Sequence, residues 1–203
     1  MLSGIRAGLF AALIGVFLAG GCTAGELPEA KVKIGDRAPD FTLPDSNGKS
    51  WSLADFKGKK AVAVIFIATQ CPFSKAFDHV MADLAKEYES RGVAFVAINS
   101  NKTEPVAEVA EHAKKNGFIF PVLKDEGNVI ADQFGAAVTP EVFLLDSDFT
   151  VRYHGALGNS AKPTTKAEEA SDAEFRPALD ALLAGQAIAK AQTKAFGCTI
   201  KRI

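Results

Sequence analysis

The sequence predicts an α/β domain built on a buried central strand, and three observations predict it. Ala61 to Ile67 is a run of seven apolar residues without a charge, rich in β-branched side chains, as a strand buried on both faces requires. A helical pattern follows at once, with Phe73, Ala76, Phe77, Val80, Met81, Leu84, Ala85 and Tyr88 recurring on one face. A second apolar run, Gly92 to Ile98, comes next. A strand–helix–strand unit of this length implies a parallel, right-handed crossover.

Each flanking element has its own signal. Asp40-Phe41-Thr42-Leu43 and Ser50-Trp51-Ser52-Leu53 alternate around Asn47-Gly48, the pattern of a β-hairpin. Thr103 is placed to cap the next helix, with Pro105 in its first turn, Val106, Val109, Ala110 and Ala113 on its apolar face, and Gly117 closing it. Residues 118–123 read as a short extended piece, and Val129 to Phe134 as a brief helix before Gly135. Val142 to Asp146 and Thr150 to His154 form a strand pair across a turn at Ser147. Ser171-Asp172-Ala173-Glu174 has the form of a capping box for a last helix that Gly185 ends.

The chain has 203 residues, enough for one domain, here bounded at 35–185. Residues 1–21 carry a single charge, Arg6, followed by 15 apolar or small residues, too few to span a membrane but suited to a secretory signal. Residues 22–34 read as a tether and 186–203 as a tail that carries Cys198. After residue 21 the net charge is −2, which gives no electrostatic case for a nucleic-acid partner. Three cysteines do not make a disulfide scaffold, and His79, His112 and His154 are too dispersed for a zinc site, so no metal or cofactor is expected.

Chemistry concentrates at Cys71. Pro72 suits the first helical position, which puts Cys71 at the helix N-terminus among free backbone N–H groups that stabilise a thiolate. Gly35-Asp36-Arg37-Ala38-Pro39-Asp40-Phe41, Asn47-Gly48, Leu53, Phe56-Lys57-Gly58-Lys59 and the strand ending in Cys71-Pro72 together resemble the opening of the thioredoxin-like redoxin family, the alkyl hydroperoxide reductase/thiol-specific antioxidant group. The resemblance spans about residues 33–149. It implies a thioredoxin-like fold, with a central mixed sheet flanked by helices and an N-terminal β-hairpin, and a redox role. It also maps a cis proline that faces the reactive cysteine onto Pro140, leaving the Thr139 backbone open to pair with an extended substrate. The ending Gly197-Cys198-Thr199-Ile200-Lys201 is similar to the terminus of one redoxin subgroup. Leu18-Ala19-Gly20-Gly21-Cys22 resembles a bacterial lipoprotein signal, which implies export to the cell envelope or periplasm and a lipid anchor on Cys22; a cut after Ala24 would instead release a soluble form.

Where the usual thioredoxin site has its second cysteine, this chain has Ser74, whose hydroxyl can support a thiolate but cannot form a disulfide. Cys71 therefore needs another thiol, and Cys198 is the candidate resolving residue. Closing the chain between residues 71 and 198 would stabilise the oxidised form by about 5 kcal/mol in the chain-entropy account. Thiol–disulfide exchange with a disulfide-containing protein or small thiol, served by an external reductant, is the favoured reading. A peroxidase acting on peroxides is the alternative, although the family's Pro-x-x-x-Thr-x-x-Cys spacing falls here on Val64 and Ala68, with Thr69 one place off. A non-catalytic metal- or haem-handling module is a third. Lys75, Arg152 and His154 are assigned to solvated faces, and Glu141 is given no role.

Overall fold

The computed structural model describes Met1 and residues 31–202, so the signal segment, Cys22 and most of the tether lie outside the described residues. A five-stranded mixed sheet organises the chain: β3 (Ala61–Ile67) at its centre, β4 (Val93–Asn99) and β5 (Val122–Lys124) parallel to it on one side, and on the other β7 (Glu141–Asp146), antiparallel to β3, followed by β8 (Val151–Gly155), antiparallel to β7. All seven residues of β3 are 0 % exposed, which is why the run contains no polar side chain. Ala61, Ala63, Ile65 and Ile67 face one core, with helices α2 (Asp78–Glu89) and α5 (Phe175–Leu183). Val62, Val64 and Phe66 face the other, with α4 (Val129–Phe134), Phe41, Leu53, Phe56 and Val32. Burying each such large side chain contributes about 1.5–3 kcal/mol, so the strand that leads into the Cys71 loop is firmly fixed.

The hairpin forms as expected from β1 (Thr42–Pro44) and β2 (Ser50–Ser52). Asp45 organises its turn, accepting the Asn47 and Lys49 N–H groups on one carboxylate oxygen, while Gly48 takes the φ of +83° that the turn requires. Two short strands outside the main sheet, β6 (Val138–Thr139) and β9 (Cys198–Thr199), pair with each other.

Three local readings are corrected. The helix after Cys71 is not continuous: α1 (Pro72–Ala76) ends at Phe77, whose N–H bonds back to Ser74 O at 3.0 Å, and α2 starts afresh at Asp78. The Phe77 ring lies over Gly158, where any Cβ would stand 2.4 Å from it. Helix α3 (Val106–Lys115) is preceded by Pro105, not capped by Thr103. The proposed capping box does not form either, because α5 starts after Glu174, and Asp172 instead pairs with Arg176 at 2.7 Å. Among the described residues no helix is long and apolar enough to cross a membrane.

Candidate active site

Cys71 occupies the N-cap of α1 in extended backbone, with Pro72 in the first turn. Its sulfur accepts the Ser74 N–H at 3.4 Å and donates to Thr139 O at 3.2 Å. Thr139 precedes Pro140 through a cis peptide bond, as the resemblance implied. Ser74 helps in a different way from that expected. Its main-chain N–H meets the sulfur, while its hydroxyl, fully buried, accepts the Ala68 N–H at 3.1 Å and ties the end of β3 to the helix start.

Cys198 arrives from the far end of the sequence. β9 runs antiparallel to β6 with Cys198 opposite Thr139, so both cysteines meet the same residue. Gly197 makes this approach feasible: its φ is +147°, and a Cβ there would lie 1.8 Å from Thr139 O. Phe196 packs edge-on to Phe73 and Phe77, and Ile200 is buried and donates its N–H to Ala137 O at 3.0 Å. Burial, reinforced by hydrogen bonding to the Cys71 sulfur, pushes the Cys198 thiol up to about 11. The fold thus favours the neutral thiol, and its stabilisation is intact below the ordinary value of 9.0 and lost as pH rises through about 11. Thermal melts of the reduced protein are expected to show this loss from about pH 9 upward, and Cys198→Ser is expected to remove it.

A buried polar cluster behind the site escaped the sequence reading. Glu104, 2 % exposed, accepts the N–H groups of Thr69 and Gln70 at 2.9 and 3.0 Å and the Asn99 amide at 2.5 Å, fixing the loop that delivers Cys71. Lys124 supports it from below, donating to Asn99 Oδ1, Asn101 O and Glu104 O. Burial lowers the basicity of this lysine, against the pull of Glu104. The run Asn99-Ser100-Asn101 directly after a buried strand was the available signal. Glu104→Ala removes the acceptor shared by these three donors and is expected to cost about 3 kcal/mol in denaturant unfolding, with Glu104→Gln costing less.

Thr69 turns its hydroxyl to Glu108, to which Gln70 also donates. Glu141, the residue after Pro140, is buried and accepts the Ala137 and Val138 N–H groups at 2.8 and 3.1 Å, which holds β6 in place. Its other oxygen meets His154 Nε2 at 2.7 Å, and that ring stacks on Phe143 at 4.2 Å. His154 therefore does not lie on a solvated face. Lys75 does. Thr139 Oγ1 is buried and, among the described residues, is without a hydrogen-bond partner. Thr139→Val is expected to raise stability by about 1 kcal/mol, measured by chemical denaturation.

Residues 34–154 match the model of the AhpC/TSA family. A thiol-disulfide oxidoreductase, ResA, of Bacillus thuringiensis subsp. konkukian is 36 % identical over 121 residues, which cover 59 % of this chain and 68 % of that protein. A hypothetical protein of Sinorhizobium meliloti 1021, known as a crystal structure, is 36 % identical with a TM-score of 0.81, covering 88 % of this chain and 99 % of its own. An uncharacterized conserved protein of Geobacillus kaustophilus is 35 % identical with a TM-score of 0.77, covering 83 % and 92 % respectively.

Proposed function

Because the chain belongs to the AhpC/TSA family, we propose that it is a thiol-disulfide oxidoreductase in which Cys71 and Cys198 cycle between dithiol and disulfide. One observation carries the reading. The tail strand sets Cys198 opposite Thr139, the residue whose carbonyl already accepts the Cys71 thiol, so two sulfurs distant in sequence share one environment. The ResA relatives carry the same activity in their name. In the oxidised form the two sulfurs are bonded. Reduction opens that bond with two electrons and two protons from an external thiol reductant, and a disulfide substrate takes them in the reverse direction. Cys71 is the nucleophile that closes the internal bond, with Pro72 and Ser74 shaping its turn and Thr139 and Pro140 bounding the site.

The peroxidase alternative has weaker support, because the family's threonine position falls on Ala68 and the neighbouring Thr69 hydroxyl is engaged by Glu108. We also place the protein in the cell envelope, with residues 1–21 as the export signal and Cys22 as the point of lipid attachment, on the strength of the sequence ending in Gly21-Cys22. Cys22→Ala is expected to move the protein from the membrane fraction to the soluble one. The oxidoreductase reading is tested by non-reducing peptide mapping after mild oxidation. A linked Cys71–Cys198 peptide, with turnover of a disulfide substrate, supports it. Two unlinked thiols in a protein that has turned over nothing would refute it.

A further inference from the structure

The main-chain edge of β6 beside Cys71 is the place where an extended partner would add a strand, and in this protein it is taken. β9 fills it with Thr199 opposite Val138 and Cys198 opposite Thr139. The tail is held on both sides of that pair. Upstream, the Thr193 N–H donates to His154 O at 3.0 Å and Ala191 O accepts the His154 N–H at 2.9 Å. Downstream, the Lys201 N–H donates to Asn101 Oδ1 at 2.6 Å, Lys201 O accepts from Lys102, and Arg202 reaches Asp132 and Ala136 O. A strand anchored at both ends does not swing aside like a lid. It covers Cys71, which is 3 % exposed, and leaves Cys198 partly exposed.

Resting on the two-cysteine reading above, we propose that Cys198 is the sulfur through which external thiols exchange, that Cys71 is the internal partner, and that the reductant is a compact thiol compound needing no strand pairing. An incoming thiolate attacks Cys198 Sγ. The Cys71–Cys198 bond breaks, a bond between Cys198 and the incoming sulfur forms, and Cys71 leaves with the electron pair. A second thiolate then attacks the incoming sulfur, releasing the oxidised thiol compound as its disulfide and leaving Cys198 to take a proton. Two thiols are oxidised and one protein disulfide is reduced. Access favours this order, since Cys198 is partly exposed while Cys71 is 3 % exposed, and the departing Cys71 sulfur keeps the Ser74 N–H donor. This reverses the order of contact expected from the usual thioredoxin site, where the cysteine at the helix start meets the partner first.

The test uses the wild-type chain, oxidised and first mapped to verify the Cys71–Cys198 bond. It is mixed with glutathione, quenched with acid at early times, alkylated and digested. Glutathione on Cys198 with alkylated Cys71, in at least tenfold excess over the converse pair, is the expected result. Glutathione on Cys71, or an even split, would overturn the proposal while leaving the oxidoreductase reading intact. An absent Cys71–Cys198 bond, seen before any glutathione is added, overturns both. A second measurement follows maleimide labelling of Cys71 in the reduced Cys198→Ser protein and in Cys198→Ser/Gly197→Ala. Labelling at least tenfold faster in the double variant is expected, and equal rates would show that the tail does not cover Cys71.

Discussion

Cys71→Ser is expected to abolish disulfide exchange, a fall of about a thousandfold or more in a turnover assay with a disulfide substrate. Oxygen replaces one of the two sulfurs of the internal bond, and a hydroxyl forms no disulfide. The fold has no reason to follow. Serine is a preferred N-cap residue, and its Oγ can accept the Ser74 N–H that the sulfur now accepts at 3.4 Å. Melting within about 1 kcal/mol of wild type is therefore the matching expectation, and it separates lost chemistry from lost structure. Residual exchange above a few per cent of wild type would show that Cys71 is not needed.

Gly197→Ala has the second large effect, and it acts on geometry alone. At φ +147° an L side chain is strained, and the added carbon would meet main-chain atoms, Thr139 O at 1.8 Å and Thr139 C at 2.6 Å, which cannot yield as a flexible side chain would. The tail strand must lift from β6. A cost of about 3 kcal/mol on the closed arrangement corresponds to roughly a hundredfold loss in the equilibrium constant for the internal disulfide. Titration in glutathione redox buffers measures this directly. Gly185→Ala is the control: its φ is also positive, but nothing lies within 4 Å of the added carbon, and it stands away from both sulfurs in sequence.

The parts of this site legible in the sequence are those set by local patterns. The apolar run of β3 is explained by its burial on both faces, and Pro72 marks the start of the helix that places Cys71. Pro140 was legible only through family resemblance, since a cis bond leaves no periodic trace. The parts that were not legible depend on tertiary contact. Phe77 has helical spacing, yet the helix breaks there, and its ring packs over Gly158. Glu104 is a charged residue in a polar stretch until the loop after β3 and the end of β4 close around it and supply three donors. His154 looks solvated on its own strand, and only the pairing of β7 with β8 brings it to Glu141. The pairing of Cys198 with Thr139 joins segments far apart in the chain, and no local propensity encodes it.

The placement of residues 191–193 also bears on how copies of this protein behave towards one another. A sheet that ends in an open strand offers its unpaired amides to any neighbour, the usual start of edge-to-edge aggregation. Here the outer side of β8 is covered twice. The N-terminal segment bonds to it through Gly35 and Asp36, and the tail through Ala191 and Thr193. The opposite border, β5, is bridged by Asp45 of the hairpin. The tail that brings a reactive sulfur to its partner therefore also seals a border of the sheet. Proteolytic trimming near residue 190 would uncover the His154 end of β8 and leave Cys71 unaccompanied in the same molecule.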